Sequence, residues 1–421
     1  MSYPPCPPAP DPKAICAPVR ASALAAILAL ACGTGPSGQA PQSAPLEPAA
    51  DPQQVARGQA LLQRFECARC HDGDGLTPAP RERHCVHCHQ AVLAGELPAP
   101  PDALAGWQQH ITHLTEVPEL RGLQRLRRGF VAAYLAAPHD LRPRLNSTMP
   151  RLRLADGDAA DLAAALVPDA ELAAPDAPGD PERGRALLTR NGCMTCHAFT
   201  GVPTIDVGPL PVALDATRMT RATAQAPDLR FTRDRLRPAA LHAWLADPAA
   251  VKPGTLMPTI ALRPDEVRDL AAYLLTVPLA ARERPVPPAR LPPLTRRVRF
   301  AEVDAKIFHA TCWHCHSDPD YARGDGGPGN SGGLGYPGRH LDLSSYAGVA
   351  SGSLGPDGRR RSIFAPLPDG TPRIVAHLLT RHAELADQPD PELRGMPLGL
   401  TPVPLEDIQL LDTWIAQGRP E

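Results

Sequence analysis

The chain has 421 residues, of which 43% are hydrophobic but only 4% aromatic, with 53 prolines and a formal net charge of −2. A balance this close to neutral excludes a protein held to a polyanion by bulk charge, so no nucleic-acid partner is expected. The length allows two to four modest domains, each short of core volume unless a large apolar group fills part of it.

At the N-terminus, Arg20 precedes the apolar run Ala21–Ala31, which is followed by Cys32-Gly33. This reads as an export signal, too short to span a bilayer. A cysteine at that point resembles a bacterial lipobox and makes Cys32 the candidate lipidation site, although Ala29 stands where a larger aliphatic is usual. An ordinary cleaved signal is the alternative. Residues 1–18, rich in proline, do not fit a signal's charged end, and a true start near Val19 is expected. The signal region covers 1–32, and a Gly/Pro/Ser/Ala tether, disordered by composition, covers 33–51.

Beyond the tether, Ala56-Arg-Gly-Gln-Ala-Leu-Leu62 precedes Cys67 at the offset at which Glu182-Arg-Gly-Arg-Ala-Leu-Leu188 precedes Cys193. A looser copy, Asp304–Phe308, precedes Cys312. Each copy has a downstream partner: Met149-Pro150, Met257-Pro258 and Met396-Pro397 are followed by helical patterns over about 156–167, 264–276 and 404–417. Their apolar faces carry Leu162/Leu166, Val267/Leu270/Leu274 and Ile408/Leu411/Ile415. Proline-rich joints at 168–178 and 278–293 read as semi-rigid linkers. The fold class expected is all-α, with three tandem helical domains over 52–168, 181–277 and 296–421.

Eight of the eleven cysteines lie in four Cys-x-x-Cys-His units: Cys67/Cys70/His71, Cys85/Cys88/His89, Cys193/Cys196/His197 and Cys312/Cys315/His316. The first two units lie 18 residues apart, near zinc-ribbon spacing, so four thiolates around one zinc is one reading. The other is covalent haem c. Two cysteines at i and i+3 can each bond a vinyl group, and the next histidine supplies the proximal ligand. The haem reading accounts for the histidine in every unit, for the isolated units at 193 and 312, and for the export signal. It predicts four covalently bound haems.

Here the chain resembles a family. The middle segment looks like a class I cytochrome c through Arg183–Leu188, Cys193-Met-Thr-Cys-His197, Ala226-Pro-Asp-Leu229, Leu241–Pro248, Pro253–Pro258 and Ala271–Leu274. The C-terminal segment is similar to planctomycete-type cytochrome c domains through Cys312–His316, Gly332-Gly-Leu334, Leu341-Asp-Leu343, Arg394–Pro397 and Thr413–Gly418. The first segment matches at its ends, with the second Cys-x-x-Cys-His as an insertion. The resemblance implies haem held by His197 and Met257.

Met149 and Met396 repeat the position of Met257 and are the corresponding candidate ligands. The inserted unit has no such methionine. His110 and His113, three apart in Trp107–His113 on an expected helix, are its candidates, with His113 preferred. His84 and His87 are expected to point elsewhere. Arg125, Arg127 and Arg128 read as a solvated face or as propionate partners, and Arg323–Arg339 as a flexible glycine-rich loop.

The function expected is one-electron transfer by an exported tetrahaem cytochrome. Redox proteins or membrane oxidoreductases would be donor and acceptor. The location would be the periplasm or cell envelope, through a lipid anchor on a membrane, with the outer one favoured. Two alternatives stand: a peroxidase-like enzyme with an open iron at the inserted haem, and a zinc ribbon in the first segment with two haems elsewhere.

Overall fold

A computed structural model describes residues 48–145, 148–170, 177–317 and 329–421. The signal, Cys32, nearly all of the tether and residues 171–176 of the first joint lie outside the described residues.

The first repeat opens with α1 (Pro52–Arg64), started by the Asp51 carboxylate accepting from Gln53 N and by a proline where no N–H is needed. The insertion forms α2 (Cys85–Leu93) and α3 (Pro101–His110), followed by α4 (Arg128–Ala136) and α5 (Asp158–Leu166). The second repeat holds α6 (Pro181–Arg190), α7 (Ala216–Gln225), α8 (Thr232–Arg235), α9 (Pro238–Ala246), α10 (Pro248–Val251) and α11 (Pro264–Thr276). The third begins with α12 (Phe300–Val303), which runs directly into a π-helix, Asp304–Cys312. It continues with strands β1 (Gly332–Gly333) and β2 (Tyr336–Pro337), α13 (Tyr346–Ser351), strands β3 (Ser353–Leu354) and β4 (Arg360–Arg361), α14 (Arg373–Leu385) and α15 (Leu405–Ala416). The architecture is mostly helical, and the antiparallel hairpins β1–β2 and β3–β4 were not foreseen. Among the described residues no helix is long and apolar enough to cross a membrane.

The repeated Arg-Gly pair sets the helix crossings. A Cβ on Gly58 would meet Asp161 O of α5 at 2.0 Å, and one on Gly184 would meet Asp269 O of α11 at 2.1 Å. Only glycine allows backbones this close. The arginine before each glycine clasps the same carboxylate-bearing turn. Arg57 reaches Asp161 at 2.7 and 3.0 Å, and Arg183 reaches Asp269 at 2.8 and 3.1 Å. In the third repeat the fully buried Val303 stands at the glycine's offset, and the contact is aromatic: Phe300 lies 5.8 Å from Trp414 of α15 and 6.1 Å from Phe308.

The repeats do not stand apart. Residues of the first two, Leu126, Val131 and Val167 with Leu188, Leu241 and Leu270, share one core. Leu126 and Leu236 form an antiparallel bridge. Arg127 N donates to Arg235 O at 2.9 Å, and Arg237 N to Arg125 O at 3.0 Å. The third repeat has its own core around Trp414 but docks on the first. Leu334 N donates to Glu66 Oε2 at 3.0 Å, Tyr336 Oη to Arg151 O at 2.7 Å, and Thr148 N to Gly399 O at 2.9 Å. The described half of the glycine-rich stretch is therefore an ordered hairpin seated on the first repeat. The second joint is not a free spacer either. Arg290 pairs with the buried Asp412 at 2.8 Å through both Nε and a terminal nitrogen. Leu294 N donates to Thr413 Oγ1, and Val298 N to Gln417 Oε1.

Replacing Gly184 by alanine should cost about 2 kcal/mol or more, because backbone must move on both sides of the crossing. Gly106→Ala in α3, where a Cβ meets nothing within 4 Å, should instead gain about 0.5–1 kcal/mol. Urea midpoints of the two variants check both signs.

Candidate functional site

In the first two repeats the Cys-x-x-Cys-His unit follows the opening helix as one 3-10 turn, Cys67–Arg69 and Cys193–Thr195. The turn is entered through a left-handed residue, Glu66 (φ 49°) in one and Gly192 (φ 61°) in the other. His71 N and His197 N donate to the carbonyls of Cys67 and Cys193 at 3.0 Å, which brings the histidine back over its first cysteine. His71 Nδ1 donates to Pro118 O and His197 Nδ1 to Pro227 O, each at 2.8 Å. This fixes the tautomer and leaves Nε2 with its lone pair. Burial holds both imidazoles below their ordinary pKa, which keeps them neutral. The sequence carried this signal in Val117-Pro-Glu-Leu120, the counterpart of Ala226-Pro-Asp-Leu229, but only the second was singled out.

Both turns open into one cavity of about 730 Å³. Cys67, Cys70, His71 and Met149 line it from the first repeat, and Cys193, Cys196, His197 and Met257 from the second. Met257 Sδ accepts from Trp244 Nε1 at 2.9 Å. Burial pushes the Cys67 and Cys193 thiols up to about 11, so both stay protonated. A thiol in this state suits addition across a vinyl group, which forms a C–S bond and passes the hydrogen to carbon.

The cavity is also rich in cations. Arg125, Arg142, Arg235 and Lys252 all line it. Burial first, and mutual repulsion second, push Arg235 down to about 9, Arg125 to about 10 and Lys252 to about 8. Arg235 Nε is buried and finds no hydrogen-bond partner among the described residues. Charges left in this state are costly without anions to face.

The inserted unit is built differently. Its cysteines and histidine lie in the first turns of α2, where Cys85, Cys88 and His89 share a face by helical spacing. Cys70 and Cys85 are hydrogen-bonded, which, ahead of burial, pushes the Cys70 thiol upward. The four thiols of the first two units are not gathered around one point. Among the described residues the group of three or more potential metal donors that converges is Asp72, His84 and His87. His84 caps α2, accepting at Nδ1 from His87 N at 3.2 Å, so its proton sits on Nε2, 3.7 Å from Asp72 Oδ1. His87 Nε2 donates to Asp72 Oδ2 at 2.9 Å, and the two rings stack at 3.7 Å. His87 thus bonds to Asp72, and His84 lies beside the same carboxylate without a hydrogen bond to it.

His110 and His113 do not share a helical face, because α3 ends at His110 and Ile111 turns extended. His89 Nδ1 donates to the His113 carbonyl at 2.9 Å, which leaves His89 Nε2 as the free nitrogen. His110 is exposed at the end of α3.

In the third repeat the π-helix delivers Cys312, whose buried thiol is pushed up to about 12. His316 Nδ1 is buried against Gly329, and burial lowers this imidazole to about 4. Met396 packs on the same core as Cys312, with its N–H donated to His377 O at 2.9 Å and a cis bond to Pro397.

A protein-family model described as cytochrome c matches residues 181–278, the span of α6 to α11. No curated protein and no solved structure matches the chain. Residues 181–278 are a cytochrome c domain, which implies covalently bound haem c. The residues present fit that group: protonated thiols, an imidazole with Nε2 available, a thioether, and buried cations that would face propionates, Arg235 Nε among them with no hydrogen-bond partner.

Lys252 gives the cavity a pH signature. Its amine holds fewer protons in the folded haem-free chain than in the unfolded one, so stability should rise as pH climbs from about 8 toward the ordinary lysine value. Urea midpoints across that window check the rise, and Lys252→Met should reduce it.

Proposed function

We propose that the chain is an exported tetrahaem c-type cytochrome of three cytochrome c-like modules, moving single electrons between redox partners. The observation that carries this reading is the cavity shared by Cys67, Cys70, His71 and Met149 with Cys193, Cys196, His197 and Met257. The first repeat carries the same donor set as the cytochrome c domain, in the same turn geometry and with the same proline carbonyl behind the histidine.

Haem bound at these sites supplies a one-electron iron couple. The chain's own contribution is to set that couple and seat it. His71 and His197 are held in one orientation by Pro118 and Pro227, which makes each Nε2 a firm ligand. Met149 and Met257 offer soft thioethers that favour the reduced iron. The cavity cations neutralise propionates. The contact of Cys70 with Cys85 places the first two attachment sites side by side, and the shared cavity places the first and third likewise. Redox proteins or membrane oxidoreductases are the partners this reading requires. Export, with lipid on Cys32, is part of the same proposal and rests on the sequence.

Pyridine haemochrome against protein concentration, after expression with a haem-maturation system, should give four haems per chain. The count should fall to three in the Cys85→Ser/Cys88→Ser variant. Two haems with one zinc per chain would overturn the reading. Met257→His, which replaces a thioether by an imidazole, should lower the midpoint potential of one haem and leave the others in place, as read by spectroelectrochemical titration.

A further inference from the structure

The inserted unit needs a group opposite His89. The His113 carbonyl is taken by His89 Nδ1, and His110 is exposed at the end of α3. Another imidazole does approach His89. His314, the residue between Cys312 and Cys315, has its ring centroid 6.0 Å from that of His89, at an interplanar angle of 49°.

We propose that His314 is the second axial ligand of the haem attached at Cys85 and Cys88. This rests on the reading above that the inserted unit carries haem. Two imidazoles on opposite faces of one metal have centroids about 6 Å apart, taking a metal–nitrogen bond of about 2 Å and about 1 Å more to each ring centre. The same separation occurs in plain tilted ring contacts, such as Phe300 with Trp414 at 5.8 Å, so the spectra below and not the distance alone decide the role. His89 is oriented for the role, because its Nδ1 is committed to the His113 carbonyl and Nε2 is the nitrogen left to ligate.

The approach of the two rings is held by the structure around them. The third repeat is fastened to the first by Leu334 N to Glu66 and by Tyr336 Oη to Arg151. Farther along, Thr148 N donates to Gly399 O, and an Arg381 terminal nitrogen to Thr148 Oγ1 at 2.8 Å. The second repeat's insertion-free pattern explains the need. Each simple repeat has its own methionine before the last helix, and the inserted unit has none. A ligand lent by the third repeat fills the gap.

The arrangement has a consequence for electron flow. His314 belongs to the same turn as Cys312 and Cys315. The ligand of one haem is then joined by a few covalent bonds to the attachment points of the next.

The test uses the full-length haem-loaded protein. Ferric EPR and absorption spectra should show all four haems low-spin in the wild type. His314→Leu should keep four covalent haems and turn about a quarter of the iron high-spin. Added imidazole should restore the low-spin spectrum in that variant, and His314→Met should keep the iron low-spin with a raised midpoint potential. His110→Leu and His113→Leu should leave the spectra unchanged. Four haems that all stay low-spin in His314→Leu would overturn the assignment while leaving the tetrahaem reading intact. A wild-type count of three, unchanged by Cys85→Ser/Cys88→Ser, would remove the haem and the ligand together.

Discussion

Everything else in the first two repeats hangs on one close approach. Gly58 and Gly184 let the opening helix lie with its backbone against the closing helix, and the neighbouring arginine locks the crossing by a two-point bond to Asp161 or Asp269. The opening helix ends a few residues later in the left-handed step that starts the cysteine turn. The closing helix is preceded by the loop that carries the methionine. Fixing the crossing therefore fixes the thiols, the imidazole and the thioether relative to one another. The arginine–carboxylate pairs lie at the surface on the arginine side and add only modestly to stability. Their geometric effect is larger, since a bidentate fork tolerates little rotation.

A second constraint is electrostatic. Gathering Arg125, Arg142, Arg235 and Lys252 around one apolar cavity is unfavourable in the protein alone, as their lowered pKa values record. Some of them also tie the repeats together: Lys252 Nζ donates to Glu119 O at 3.0 Å and Arg142 Nε to Gln225 O at 2.9 Å. They make sense as one half of a set of ion pairs, the other half being carboxylates of a bound group. The repeats then share not only a core but a common pool of counter-charge, so the two sites cannot be tuned independently.

Much of this was legible in the sequence because it is local. The closing helices fall close to where the apolar spacing put them, with Leu162, Leu270 and Leu411 almost wholly buried. The cysteine units and the three Met-Pro steps needed only spacing. Misreadings came where distant segments meet. His110 and His113 are three apart, but the β-branched pair Ile111-Thr112 between them favours extended backbone and the helix stops. His84 and His87 do point elsewhere, as expected, toward Asp72. The shared cavity depends on Leu126 meeting Leu236, a contact between two repeats that no periodicity within either can reveal. Asp412 and Thr413, polar residues on the apolar helix α15, were the one local hint that the second joint is tied down.

That tied-down joint changes what kind of object the chain is. A proline-rich spacer suggests beads on a string that must diffuse together before anything passes between them. Here residues 290–298 are laced along α15, and the third repeat is pinned to the first by hairpin and loop. Separations between the repeats are set by solid contacts rather than by a search through solvent. On the proposed multihaem reading, transit along the molecule is then a property of fixed distances, indifferent to the viscosity of the medium. Diffusion governs only the encounter with whatever stands at either end.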